Sequence, residues 1–122
     1  MNTIPKSSGP RPGLEELRLR FAAILQDLDH PPLGAGVALA EECGEVARVL
    51  LDHHAYGKPL DQEMLGSELM DIFVVIAEIA TLHGIDLDAA AAHKLDDLAR
   101  RAPSWRADPS MVAALRRARG CS

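Results

Sequence analysis

Two pairs of acidic residues lie inside the most apolar parts of the sequence. Glu42 and Glu45 stand in GVALAEECGEVARVLL, and Glu68 and Asp71 stand in SELMDIFVVIAEIA. Within each pair the residues are three positions apart, which places both carboxylates on one face of a helix. Ionised carboxylates are costly to desolvate unless a cation or another partner compensates them. The spacing therefore favours a cation-binding cluster, with an ordinary solvated helix face as the alternative.

The two acidic faces are expected to meet across one turn. Twenty-two residues separate Glu45 from Glu68, and the segment GKPLD at 57–61 lies between them. Two antiparallel helices joined at this turn bring the pairs to similar heights, with a mismatch of roughly 8 Å. Four facing carboxylates repel one another unless cations enter the cluster or their pKa values rise. Because oxygen ligands select hard ions, we predict Mg²⁺ at this site, with Mn²⁺ as a substitute.

The composition predicts that helices hold these residues. Apolar residues make up 48% of the 122-residue chain and aromatic residues only 3%, which favours helices over a β-sandwich. No stretch alternates apolar and polar residues for the length of a strand, so we predict an all-α fold. The predicted helices cover about 13–28, 32–56, 62–83 and 86–101, with a short fifth helix in DPSMVAALRRARG.

Aspartate, glycine and proline residues mark the ends of the predicted helices. Asp61 and Asp108 are predicted N-caps, and Gly57 and Gly84 are predicted stops. Pro103 is expected to block further extension of the fourth helix. The predicted organisation is a disordered leader at 1–12, a helical domain at 13–102, and a tail at 103–122 that carries the short helix.

Charge and cysteine content limit the partners and the location. A net charge of −5 argues against nucleic acid or an anionic membrane as the main partner. The apolar run IFVVIAEIA is too short to span a bilayer and contains Glu78. Cys43 and Cys121 have neither zinc-site nor redox-motif spacing, so we interpret both as free thiols of a cytoplasmic protein.

The acidic pattern resembles the ExxE…ExxD signature of the all-α nucleoside triphosphate pyrophosphohydrolases, the MazG-like family. The segments ALAEECGEVARVL and ELMDIFVVIAEIATLHGIDLDAAAAHK also resemble the second and third helices of that family and its GID turn. The resemblance covers roughly residues 14–101. It implies an antiparallel, four-helix-bundle-like MazG fold. Because one helical hairpin that carries four acids leaves apolar surface uncovered, we expect dimerisation to complete this fold, as a homodimer or a tetramer of dimers.

The resemblance also implies an activity. Family members hydrolyse NTPs or dNTPs between the α- and β-phosphates with Mg²⁺, giving the monophosphate and pyrophosphate, and the implied use is the clearing of aberrant or excess nucleotides. The implied metal ligands are Glu42, Glu45, Glu68 and Asp71; the implied catalytic residues are Glu41, Glu45 and Lys94; the implied substrate-binding residues are His30, Lys94 and Arg101. Which carboxylate orients the water stays open.

Each substrate contact has a simpler alternative. The alternative for Lys94 is a solvated helix residue, that for Arg101 is a cation at a helix C-terminus, and that for His30 is a turn residue before a proline. The chain also departs from the family pattern. Leu98 stands where many relatives have an asparagine, and Asp52 and Val75 stand where dCTP-preferring relatives have stacking aromatics. We therefore predict broad selection among bases.

Two rival functions remain at this level. Phosphoribosyl-ATP pyrophosphohydrolases share the acidic signature and the fold, although the lysine position and the GID turn favour the nucleoside triphosphate group. A non-catalytic helical interaction module that retains the fold is the rival from another class. The asparagine lost at Leu98 favours that module, and the intact set of four acids opposes it.

Overall fold

The computed structural model of the chain describes residues 11–120 and is all-helical, as predicted. Within that span there are five α-helices and no β-strand: α1 (Leu14–Ile24), α2 (Pro32–His54), α3 (Gln62–Leu82), α4 (Leu87–Ala107) and α5 (Pro109–Ala118). None of these helices has the length and apolar character needed to cross a membrane. Most of the predicted leader and Cys121 lie outside the described residues.

Side-chain caps and left-handed glycines set the helix ends, as the sequence predicts. The Asp61 carboxylate accepts a hydrogen bond from the Met64 N–H (3.1 Å), so one otherwise unpaired donor at the start of α3 is satisfied. Asp108 caps α5 in the same way. Gly57 and Gly84 follow α2 and α3 with φ of 67° and 65°, a conformation that glycine adopts without steric cost.

The first helix is shorter than predicted. It ends at Ile24, whereas the apolar spacing predicted a helix to about residue 28. Asp27 has φ of 67°, and the Leu28 N–H donates to the Leu25 carbonyl, so a turn replaces the last helical turn. Leu28 matches the apolar period but is 73% exposed. Aspartate tolerates the left-handed conformation better than most residues, which allows the chain to reverse before Pro31.

The fourth helix is longer than predicted. Pro103 was expected to end it, but α4 continues through this proline to Ala107. A proline removes one backbone hydrogen bond and strains the preceding turn, which costs about 3 kcal/mol and bends a helix without always ending it. The helix ends instead before Pro109, because Asp108 adopts the extended conformation (φ −85°, ψ 109°) that a following proline favours.

The described chain divides into two compact units at Leu87 and Asp88. In the first unit, α3 packs against both α2 and α1. Three of the four buried apolar residues lie on α3, namely Val75, Ala77 and Ala80, so this helix forms the centre of the unit. The connection at 55–61 is too short to run back along the 23-residue α2, so α2 and α3 form an antiparallel hairpin.

A polar network ties α1 to the C-terminal end of α3. Arg18 forms an ion pair with Glu15 (2.9 Å) and donates to the Thr81 hydroxyl (3.0 Å). Glu15 also accepts a hydrogen bond from the Leu87 N–H (2.6 Å). These contacts lower the pKa of Glu15: the hydrogen bond from Arg18 is the largest cause, followed by that from Leu87. The network therefore fixes α1 beside the face of α3 that carries the candidate site.

Candidate metal centre

Carboxylates from α2 and α3 converge at one point of the hairpin. Glu42 contributes one oxygen from α2, and Glu68 and Asp71 contribute one each from α3; the three atoms lie within 4.8 Å of one another. The antiparallel pairing of the two helices therefore closes the height difference expected from the sequence. It places three acids from two distant segments at ligand spacing.

Two oxygens of this cluster are buried without a partner. The Oε2 atoms of Glu42 and Glu68 are inaccessible to solvent and accept no hydrogen bond from the residues that the structure describes. A buried polar atom without a partner costs about 1–3 kcal/mol, and more if the group is charged. A cation bound between the carboxylates would satisfy both atoms at once.

Glu45 belongs to the same acidic face but lies at its edge. Its side chain is exposed and is not one of the three clustered ligand groups. It is nevertheless close to the other acids, because hydrogen bonding with Glu45 contributes to the raised pKa of both Glu42 and Glu68. The structure therefore brings all four predicted ligands together, three of them tightly.

The crowding raises the pKa values of two carboxyls. Burial is the largest cause of the raised pKa of Glu42, and the charges of Glu45 and Asp71 add to it. For Glu68 the hydrogen bond with Glu45 raises the pKa most, followed by burial and the neighbouring charges. Both shifts report a site that resists holding several negative charges without a counter-ion.

The donor set fits a hard divalent cation. The clustered atoms are all carboxylate oxygens, and no histidine or cysteine joins the group in the described part of the chain. Mg²⁺, Mn²⁺ and Ca²⁺ prefer such oxygen ligands, whereas zinc and iron sites normally include nitrogen or sulfur. The site therefore fits the hard divalent ion expected from the sequence, because all of its ligand atoms are oxygens.

A pocket opens beside the carboxylates within the first unit. It has a volume of about 440 Å³, and Glu42 and Asp71 form part of its wall. Apolar side chains of α1, α3 and the segments that follow them supply most of the rest, including Phe21, Leu25, Leu28, Val74 and Leu82. Asp27, Asp29 and Glu78 also line the pocket, so it combines an apolar wall with several carboxylates. This suits a ligand with a flat apolar part and an anionic part that binds through a cation.

His30 and Glu78 face each other at this pocket. The His30 N–H donates to one carboxylate oxygen of Glu78, and the His30 Nδ1 lies 3.1 Å from the other. The prediction for His30 named a substrate contact and missed its partner. A signal was present, because Glu78 follows Asp71 by seven residues, close to two helical turns, and therefore shares its face of α3.

The remaining predicted residues are exposed. Glu41 lies beside the cluster on α2, where its charge contributes to the raised pKa of Glu42. Lys94 and Arg101 lie on α4 in the second unit. Arg101 pairs with Asp97 (3.3 Å), and its guanidinium lies 4.9 Å from the centre of the Trp105 ring. These contacts account for the placement of Arg101, and the substrate roles of all three residues remain predictions.

Comparison with known proteins gives one match. No curated protein and no solved structure shows a significant match to the chain. Residues 33–105, more than half of the sequence, match the family model of the MazG nucleotide pyrophosphohydrolase domain. The matched segment contains α3, all of α2 after Pro32 and every member of the carboxylate cluster. The chain therefore belongs to the MazG nucleotide pyrophosphohydrolase family.

Proposed function

We propose that the protein hydrolyses nucleoside triphosphates, as NTPs or dNTPs, to the monophosphate and pyrophosphate with Mg²⁺. The observation that carries this proposal is the convergence of Glu42, Glu68 and Asp71 beside a 440 Å³ pocket, with two buried oxygens that lack partners. The cluster suits a cation with phosphate bound to it, and the apolar pocket suits the nucleoside. The cellular use we infer is the clearing of aberrant or excess nucleotides in the cytoplasm.

In this proposal five acids have roles in the reaction. Glu42, Glu68 and Asp71 would hold the ion, with Glu45 completing the ligand set. When bound, Mg²⁺ neutralises phosphate charge, polarises the α-phosphorus and increases the acidity of water. Glu41 or Glu45, exposed at the edge of the cluster, orients the attacking water and accepts its proton. The oxygen of water bonds to phosphorus as the α–β bridge breaks, and the bridging oxygen leaves with pyrophosphate.

A panel of NTPs and dNTPs with Mg²⁺ tests the proposal. Separate assays for pyrophosphate and orthophosphate should find pyrophosphate in equal amount to the monophosphate. Phosphoribosyl-ATP belongs in the same panel, because its preferential cleavage would move the chain to the phosphoribosyl-ATP pyrophosphohydrolases. Binding without turnover of any member would instead favour a non-catalytic module.

Lys94 on α4 is the residue of this helix with the clearest predicted substrate contact. We propose that its ammonium contacts the phosphates, with Arg101 adding a second charge. Lys94→Ala should then weaken the binding of every nucleotide by a similar factor. For the loss of one charge-assisted hydrogen bond this factor is about tenfold to a hundredfold. Specificity constants for the four dNTPs measure this. Lys58→Ala is the matched control, since Lys58 is exposed and pairs with Asp52 on the surface (3.4 Å). A loss confined to one base would contradict a phosphate contact.

An exposed stripe along α2 supports self-association. Its members recur at alternating steps of four and three residues, as in the contact seam of paired helices: Leu33, Val37, Ala40, Gly44, Ala47 and Leu51. Leu33 is 83% exposed, and a Cβ added at Gly44 would meet no atom within 4 Å, so a second helix has room to approach. We propose that this α2 stripe is part of the interface of a homodimer, or of a tetramer of dimers.

Ala47→Arg tests the α2 stripe. An arginine there would place a charge in the seam, and sedimentation equilibrium should show a shift from dimer towards monomer. Ala23→Arg is the control, because Ala23 is also an exposed helical alanine but lies on α1. If both variants sediment like the parent dimer, the interface lies elsewhere. A parent protein that sediments as a monomer would remove the proposal.

A further inference from the structure

Glu78 holds His30 through two contacts at once. His30 lies in the segment between α1 and α2, and Glu78 on α3 is 48 positions further along the chain. One carboxylate oxygen accepts from the His30 backbone N–H, and the other lies 3.1 Å from the ring Nδ1. The Glu78 side chain is 13% exposed and that of His30 is 51% exposed, so the acid is the inner partner of the pair.

This arrangement decides which ring nitrogen carries the proton. A carboxylate only accepts hydrogen bonds, so Nδ1 must be the donor towards Glu78. In the neutral ring the other nitrogen, Nε2, then has a free lone pair and acts as an acceptor. Glu78 therefore determines that Nε2, the ring nitrogen it does not contact, acts as a hydrogen-bond acceptor.

The pair lies in the same pocket as the carboxylate cluster. Asp71 and Glu78 share a face of α3 and are separated by about 10 Å along the helix axis. Both line the 440 Å³ pocket, together with His30. In a nucleotide the sugar is bonded between the α-phosphate and the base. A nucleotide whose phosphates lie at the Asp71 end of the pocket can therefore place its sugar at His30.

We propose that Glu78 is a positioning residue that presents His30 Nε2 as a hydrogen-bond acceptor for the 3′-hydroxyl of the substrate sugar. The inference rests on the proposed nucleotide hydrolysis. The exposed ring of His30 lies at the pocket surface, whereas Phe21, Val74 and Leu82 offer apolar wall to the base. A sugar hydroxyl is common to all four dNTPs, so the contact agrees with broad selection among bases.

Replacement by glutamine separates positioning from simple loop anchoring. In Glu78→Gln the amide oxygen still accepts from the His30 N–H. Its NH₂ group then faces Nδ1, which must become an acceptor, and the proton moves to Nε2. The hydrogen bond that anchors the loop is retained, while Nε2 changes from an acceptor to a donor. A purely structural role for Glu78 would predict that this variant behaves like the parent.

Kinetics with dideoxynucleotides provide the first test. The parent should prefer each dNTP over its 2′,3′-dideoxy analogue by about two- to tenfold in KM, the value of one hydrogen bond. Glu78→Gln and His30→Ala should each reduce that preference to about one, and combining the two substitutions should have no further effect on it. Glu63→Gln, an exposed charge neutralisation on the same helix, should retain the preference. The proposal is overturned if either Glu78→Gln or His30→Ala loses activity towards particular bases only and keeps the parental preference for dNTPs over their dideoxy analogues.

Nitrogen NMR of the ligand-free protein provides the second test. The His30 ring should be protonated at Nδ1 in the parent and at Nε2 in Glu78→Gln. A parent ring already protonated at Nε2 alone overturns the proposal. If no nucleotide is hydrolysed, the proposed function fails, and calorimetric titration with dATP against dideoxy-ATP in the presence of Mg²⁺ still decides the sugar contact. Equal affinity of the parent for the two nucleotides would overturn it.

Discussion

Asp71→Asn and Glu68→Gln are expected to abolish pyrophosphate release while the helical circular dichroism stays that of the parent. Each substitution removes one ligand charge and keeps nearly the same shape. Both residues lie in the cluster whose ligand atoms fall within 4.8 Å of one another. Loss of a residue that only supports a metal ligand already costs tenfold to a hundredfold in many enzymes, so loss of a ligand should cost at least about a hundredfold in kcat/KM.

Glu45→Gln extends the test to the edge of the cluster. Glu45 is exposed but shares a hydrogen bond with Glu68, and we propose it as a ligand or as the residue that orients water. The Glu45→Gln variant should therefore lose turnover as well. Without metal, all three variants should be at least as stable as the parent, because each relieves repulsion between carboxylates.

Glu63→Gln is the matched control for these variants. It neutralises an exposed acid in the first turn of α3, away from the cluster, and should keep parental turnover. Near-parental rates of Asp71→Asn and Glu68→Gln at saturating Mg²⁺ would show that the reaction occurs elsewhere. A collapse of circular dichroism in either would instead reveal a structural role and require milder substitutions.

Local chemistry explains why most helix ends were predictable. Asp61 and Asp108 have short acidic side chains that satisfy free N–H groups, and Gly57 and Gly84 adopt left-handed φ. The convergence of the carboxylates was predictable for a related reason. These residues form i,i+3 pairs on two helices, and the short connection after α2 allows only an antiparallel arrangement.

The failures arise where a tertiary contact or backbone strain overrides a local pattern. The apolar period predicted that Leu28 would extend α1, but Asp27 turns the chain one residue earlier. Pro103 was expected to end α4, but one missing hydrogen bond did not suffice. The Glu78–His30 pair joins residues that are 48 positions apart; helical spacing places Glu78 on the face of Asp71, but nothing in the sequence identifies His30 as its partner.

Mg²⁺ is expected to raise the thermal midpoint of the nucleotide-free protein. A ligand that binds only the folded state stabilises it by about 2.7 kcal/mol at one hundred times its dissociation constant. For a domain of this size that corresponds to a shift of roughly 10 °C. The bound ion stabilises the fold because it gives the two buried oxygens a partner and reduces the repulsion among the four acids. Melts in EDTA and in millimolar Mg²⁺ measure it.

The same gain should grow as the pH rises. The pKa values of Glu42 and Glu68 are raised in the folded protein, mainly by burial for the first and by the hydrogen bond with Glu45 for the second. A raised carboxyl pKa contributes stability when the group is protonated, and this contribution is lost as the pH rises through the folded-state pKa. The metal-free protein should thus lose stability from these two groups between mildly acidic and neutral pH.

Bound Mg²⁺ requires the deprotonated carboxylates, so it offsets this loss most fully at higher pH. The difference between the midpoints in Mg²⁺ and in EDTA should therefore be larger at pH 8 than at pH 5. In Glu68→Gln the difference should shrink at both pH values, because one ligand charge is missing, whereas Glu63→Gln should behave like the parent. Equal midpoints in EDTA and Mg²⁺ at pH 8 would argue directly against a cation site at Glu42, Glu68 and Asp71, since the charge repulsion that the ion is needed to relieve is greatest there.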